Sequence, residues 1–237
     1  MRRRLLSTLL LSGLLLLLAP ALTACASERP TPTLGCTEAS APCLKGPATV
    51  ELVTSRGKVL ISLDGEAAPL TAGNFVDLVR RGAYNGTVFH RVVKQPVPFV
   101  VQGGDPASSD PRTPQGQYGL GGFVDPTTGN IRQIPLELKR KDESQPRYGE
   151  PITSPGLTRQ IALSHQRGAV AMARSSDPNS ASAQFYIALQ ALPELDGRYA
   201  VFGQVSEGMD VVDAISQGDK LVRATVVSGG TLVKGAP

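Results

Sequence analysis

The sequence predicts a mainly β protein, a closed antiparallel barrel with two helices packed on it. Three observations carry this. Short runs rich in Val, Ile, Leu and Phe recur along the chain, bounded by Gly, Pro, Asn or Asp, as many short strands joined by tight turns would require. Only two segments place apolar residues at helical spacing. Strands and helices do not alternate, which argues against a doubly wound parallel sheet and for a closed antiparallel one. With no tryptophan and 5% aromatic residues, the core must rest on Val, Leu, Ile and Ala.

Residues 49–54 and 57–63 read as strands joined by the turn residues Ser55, Arg56 and Gly57, a hairpin. Residues 69–81 read as a helix. Pro69 suits its first turn, Phe75, Leu78 and Val79 share a face, and Gly82 can end it. Strands follow at 88–93 and 99–102. Residues 105–160 are dense in Pro and Gly and sparse in apolar residues, so they read as long surface loops with one short element around 134–138. Strand pattern returns at 169–173, 184–189 and 200–205. A second helix is expected at about 207–216, with Met209, Val212 and Ile215 on one side, and one or two strands over 221–233 close the chain.

The N-terminus reads as an address. Arg2, Arg3 and Arg4 precede an apolar run to Leu22, and small residues follow, the pattern of a secretory signal. Leu22-Thr23-Ala24-Cys25 resembles the bacterial lipobox, which implies cleavage before Cys25 and a lipid on its thiol; the alternative is an uncleaved membrane anchor. The expected organisation is a signal peptide over 1–24, a lipidated Cys25 with a flexible Pro/Gly/Thr-rich linker over 25–47, and a folded domain over 48–234 that carries the long insertion 105–160. Cys36 and Cys43 remain as an even pair in an exported chain, which favours a disulfide between them. No further Cys or His lies near enough to suggest a metal site. The formal charge of +4 includes the three N-terminal arginines, and without them acidic and basic residues nearly balance. No basic stripe remains, so nucleic-acid binding is not expected.

Four segments in this order resemble the cyclophilins. They are Asn74-Phe75 leading to Tyr84-Asn85-Gly86-Thr87-Val88-Phe89-His90-Arg91; Phe99-Val100-Val101-Gln102-Gly103-Gly104-Asp105; Gly168-Ala169-Val170-Ala171-Met172-Ala173-Arg174 with Ser182-Ala183-Gln184-Phe185-Tyr186-Ile187; and Leu195-Asp196-Gly197-Arg198-Tyr199-Ala200-Val201-Phe202-Gly203-Gln204-Val205. The similarity spans about 48–233. It implies an eight-stranded closed antiparallel barrel capped by two helices, and peptidyl-prolyl cis/trans isomerase activity without cofactor or metal.

That chemistry needs no nucleophile. Rotation about a peptide bond faces a barrier of ~18–20 kcal/mol from conjugation of the nitrogen lone pair, so a catalyst has only to bind the twisted amide better than either planar form. A fixed donor near the proline nitrogen and an apolar slot for the ring suffice. By resemblance, Arg91 is the donor, Gln102 positions it, Phe99, Val100, Tyr186 and Leu195 form the proline slot, Ala173, Arg174 and Gln184 meet the substrate backbone, and Tyr199 closes the slot. Read from pattern alone, Arg91 would be a surface arginine and the apolar four plain core. The sequence departs from the family at four places. Residues 92–98 are longer and contain Pro96 and Pro98; Val100 and Tyr186 replace commoner Met and Phe; Arg174 stands where many relatives carry Asn; Glu194 and Tyr199 replace Trp and His. The missing Trp implies weak cyclosporin binding.

His90 and His165 do not form hydrolase machinery. No strand–turn–helix surrounds a Gly-x-Ser-x-Gly element, and His90 reads as a hydrogen-bonded structural residue. The expected function is isomerisation of X–Pro bonds in exported proteins by a monomer tied to a membrane through its lipid, with proline-containing polypeptides as partners. The alternative is a non-catalytic chaperone or scaffold that holds proline segments in the same slot.

Overall fold

The computed structural model describes residues 35–234. The signal peptide expected over 1–24 and the lipid site expected at Cys25 lie outside them. In chain order the elements are α1 (Gly35–Glu38), β1 (Cys43–Leu44), β2 (Pro47–Thr54), β3 (Gly57–Asp64), α2 (Pro69–Arg80), β4 (Thr87–Val88), β5 (Arg91–Val93), β6 (Val100–Gly103), β7 (Glu137–Leu138), β8 (Arg147–Tyr148), α3 (Pro155–Thr158), β9 (Ala169–Met172), β10 (Phe185–Ala188), β11 (Val201–Glu207), α4 (Met209–Ala214), β12 (Lys220–Gly229) and β13 (Leu232–Val233).

The main sheet has nine strands in the order β4-β12-β2-β3-β11-β9-β10-β6-β5. This corrects the expected closed eight-stranded barrel. The strand read over 88–93 is broken at Phe89 and His90. The Phe89 N–H donates to the Asp219 carbonyl and its carbonyl accepts from the Gly218 N–H, so this stretch pairs with a loop and not with a strand. Its two halves then lie at opposite ends of the ladder. Only two residues separate those ends along the chain, so the sheet must curl round, but its hydrogen bonding stays open between β4 and β5.

Alternation sorts the side chains of the central strands onto two faces. Val101, Val170, Met172, Phe185 and Ile187 join the main core. Phe75 of α2 anchors that core, its ring centroid 5.0 Å from Tyr84, 5.3 Å from Phe185 and 5.1 Å from Phe202. Residues of the opposite parity, Val100, Ala169, Ala171, Tyr186, Ala188 and Val201, form a second, smaller apolar cluster on the other face. Against the two helices expected, four are present among the described residues; α2 is the long one, and α4 is shorter than the span 207–216.

Folded structure begins earlier than the expected linker over 25–47 allows. β1 pairs with β13, and Ala41, Cys43 and Leu44 are buried in the main core. Gly73 of α2 makes this approach possible, since a Cβ there would lie 2.2 Å from the Pro42 carbonyl oxygen. A disulfide joins Cys36 to Cys43, with their Cα atoms 5.6 Å apart. The short element expected around 134–138 in the insertion 105–160 is present as β7. β7 and β8 pair within the insertion, and Ile134, Leu136, Glu137 and Leu138 are buried.

Candidate active site

The small cluster on the second face supports an open row of side chains. Register places Arg91 of β5 opposite Gln102 of β6, Gln102 opposite Tyr186 of β10, Tyr186 opposite Ala171 of β9, and Ala171 opposite Val201 of β11. Cross-strand partners share a face, so two antiparallel ladders bring a guanidinium, an amide and a phenol side by side from distant parts of the chain. Phe99, just before β6, puts its ring under Arg91, the guanidinium carbon 5.5 Å from the ring centroid. Phe99, Ala173, Leu195 and Tyr199 are half-buried and pack around Val100 and Tyr186, which are themselves buried. The result is an apolar slot with a cation at one edge. Val100 is buried in this cluster.

Arg91 is exposed and makes no ion pair among the described residues. Its one side-chain bond is from Nη1 to Gln102 Oε1, 3.3 Å. The direction of that bond is set from further out. Gln184 Nε2 donates to the carbonyls of Gly119 at 2.9 Å and Gly121 at 2.8 Å. Its Oε1 therefore faces Gln102 and accepts from Nε2 at 3.2 Å, which leaves Gln102 Oε1 for the arginine. The Gly119–Gly121 turn is in turn held by buried Asp105, whose Oδ2 accepts from the N–H of Gly119 at 2.7 Å and of Gly121 at 3.2 Å. The sequence reading named neither glycine nor Asp105 as part of this chain of bonds. The only signal was Asp105 directly after Gly103 and Gly104, and nothing in the sequence links it to a turn fourteen residues on.

Arg174 lines a cavity beside the slot together with Gln102, Ala173 and Gln184. Its guanidinium donates to the Arg198 carbonyl, at 2.9 Å from Nε and 2.6 Å from Nη2, and to the Ser175 carbonyl at 2.8 Å. It stacks 4.8 Å from the Tyr199 ring centroid. Its side chain thus braces the tyrosine that edges the slot. Tyr199 meets Tyr186 edge to face at 5.9 Å. The long segment 92–98 connects β5 to β6 and is pinned by Lys94, which donates to the carbonyls of Asp213 and Ile215 at the end of α4. A helix C-terminus favours a cation.

The two histidines differ. His90 is buried, and neither ring nitrogen makes a well-aligned hydrogen bond among the described residues, although the Val88 backbone and the Gln184 side chain interact with the ring. Burial holds His90 below the ordinary histidine range. His165 is buried and bonded at both nitrogens, to Asp196 and to the Tyr186 hydroxyl. Burial depresses it too, against the pull of Asp196. Beside the slot a cavity of about 240 Å³ opens between Gln102, Gly121, Ala173 and Gln184. A larger groove of about 610 Å³, between Arg80 and residues 223–229, contains none of these side chains.

Comparison with known proteins adds the following. The family model described as cyclophilin type peptidyl-prolyl cis-trans isomerase/CLD matches residues 49–230. A putative thylakoid lumen peptidyl-prolyl cis-trans isomerase of Synechocystis is 40% identical over 83% of this chain, but the chain spans only 52% of that relative's length. A probable peptidyl-prolyl cis-trans isomerase of Brucella suis is 34% identical over 75% of this chain and 82% of its own. The crystal structure of cyclophilin AquaCyp293 from Hirschia baltica superposes with a TM-score of 0.57 at 26% identity, over 78% of this chain and 76% of the other.

Proposed function

The chain belongs to the cyclophilin-type peptidyl-prolyl cis-trans isomerases, and on that premise we propose that it isomerises X–Pro bonds, with Arg91 stabilising the twisted amide over the slot of Phe99, Tyr186, Leu195 and Tyr199. One observation carries this reading: Arg91 is held by Gln102 over the Phe99 ring, on the row that includes Tyr186. As the bond twists, the lone pair returns to the proline nitrogen. A guanidinium fixed beside an apolar slot can donate to it there, where water is displaced and the bond is strongest. No group has to change protonation state, and no covalent step occurs. Gln102 keeps the guanidinium plane from swinging away, and Ala173, Arg174 and Gln184, which line the cavity beside the slot, would meet the substrate backbone.

The test is a protease-coupled assay on an Ala-Ala-Pro-Phe peptide, in which cleavage requires the trans isomer. The exchange rate should rise in proportion to protein concentration. A rate that stays at the uncatalysed value, with peptide still bound, would replace catalysis by the chaperone or scaffold reading.

The reading extends to location and partners. The basic and apolar leader ending at Cys25 supports export and a lipid anchor, and the Cys36–Cys43 disulfide suits an oxidising compartment. The lumenal name of the Synechocystis relative agrees with export. The clients would be exported polypeptides passing the membrane surface. Growth with labelled palmitate should mark the wild type, and Cys25→Ser should take up no label. A wild-type protein that takes up no label would refute the lipid anchor.

A further inference from the structure

A tyrosine under the slot brings a hydroxyl into a place with little water. Tyr186 is 5% exposed, and a buried hydroxyl without a partner is costly. The partner comes from outside the row. His165 lies on the loop before β9, and Asp196 follows the short 3-10 turn Pro193–Leu195. Asp196 Oδ1 accepts from both the backbone N–H and the ring Nδ1 of His165, each at 2.8 Å. A carboxylate can only accept, so Nδ1 carries the proton, and in the neutral ring Nε2 is a bare lone pair. It faces the Tyr186 hydroxyl at 2.9 Å, which therefore donates. The two rings lie nearly parallel, 13° apart, with centroids at 6.0 Å. One imidazole thus ties Tyr186 to the turn that carries Leu195, two residues of the same slot.

We propose that His165 is a positioning residue for the proline slot: its neutral ring fixes Tyr186 against the Leu195 turn, and protonation of that ring loosens the slot and weakens proline binding. The inference rests on the slot assignment above. The charged and titratable groups facing the pair are Asp196 and Glu194 from the turn, Tyr186 from β10, and Arg91, Arg174 and Tyr199 on the far side of the tyrosine ring. The two carboxylates favour an imidazolium, whereas burial opposes it and prevails. The ring is therefore neutral near pH 7 and gains its proton only below the ordinary histidine value of about 6.5. Once charged, Nε2 becomes a donor. The Tyr186 oxygen can then accept, but its own proton loses the acceptor it had.

The experiment measures binding of the Ala-Ala-Pro-Phe peptide by calorimetry, and its KM and kcat by the coupled assay, from about pH 8 down to about pH 4.5. The thermal midpoint is followed at each pH. For the wild type, Kd and KM should rise about three- to tenfold as pH falls below about 6.5, with kcat changing little and the fold intact. His165→Gln should bind with a flat profile. Tyr186→Phe has no hydroxyl proton to strand, and its profile should be flat as well. It reads the same coupling if the His165 variant fails to fold. A flat wild-type profile, or a wild-type slope retained in Tyr186→Phe, overturns the inference. Turnover without the pH effect removes this proposal alone. Binding with the pH effect but without turnover removes the isomerase reading and leaves the positioning role standing.

Discussion

Arg91→Ala is expected to lower kcat/KM on an X–Pro peptide by about 10²- to 10³-fold, the usual consequence of removing one preorganised donor from a developing charge. The loss should appear in kcat, with KM little changed. In either planar isomer the nitrogen lone pair is conjugated and accepts poorly, so the arginine interacts with it mainly in the twisted state. Stability should hardly move. The side chain is exposed, it makes no ion pair among the described residues, and its bond to Gln102 is long at 3.3 Å. The thermal midpoint should stay within about 2 °C of wild type. Arg91→Lys should recover little of the rate. An ammonium is a point charge on a flexible stem, and it cannot lie flat on Phe99 while reaching both Gln102 and the proline nitrogen. An Arg91→Ala enzyme with wild-type kcat/KM would remove the cation from the mechanism and leave only the slot.

Much of the fold was legible because it is built from local pattern. The hairpin at 49–63 and the helix beginning at Pro69 are written in alternation, in turn residues and in a helix-spaced face, and the structure has β2, β3 and α2 there. What was not legible depends on distant partners. Residues 41–44 look like tether because Pro, Ala and Thr surround them. They fold because β13, at the other end of the domain, offers an edge and because Gly73 leaves room on α2. The break in the strand at Phe89 and His90 is invisible for the same reason, since the residues that capture Phe89 are Gly218 and Asp219.

The site shows the same division. Residue pattern alone could not separate a slot from a core, and only the resemblance singled out Arg91, Gln102 and Tyr186. Register explains why those three belong together: each is the cross-strand partner of the next. The residues that orient them were missed. Gly119 and Gly121 act through backbone carbonyls, which any residue possesses, and His165 acts from a loop twenty-one positions before its tyrosine.

The largest loss of stability is expected at Glu137, in the short element of the insertion. Helix α2 begins after Ala68, which offers no side-chain cap. Glu137 supplies the cap from outside. Its Oε1 accepts from the Leu70 N–H at 3.0 Å and the Tyr148 hydroxyl at 3.0 Å, and its Oε2 accepts from the Thr71 N–H at 2.7 Å. Only 1% of the residue is exposed. A carboxylate at a helix N-terminus also meets the positive end of the dipole. Glu137→Ala leaves two helix N–H groups and a phenol without an acceptor and opens a small void. Together these should cost about 3–5 kcal/mol, read as a lower urea midpoint with an unchanged slope. Glu137→Gln should lose less, because one oxygen still accepts while the new NH₂ faces a helix donor. The pH dependence follows from burial, which raises the Glu137 carboxyl above its ordinary 4.5 in spite of the three bonds. A raised carboxyl means that the folded state takes up its proton more readily than the unfolded chain. The group's contribution is therefore full below about pH 4.5 and declines as pH rises through the folded-state value. The stability advantage of wild type over Glu137→Gln should accordingly shrink from about pH 4 to pH 7. A Glu137→Ala loss under about 1 kcal/mol would mean that α2 holds its first turn without the insertion, and that 105–160 is an appendage to the fold and not part of its cooperative unit.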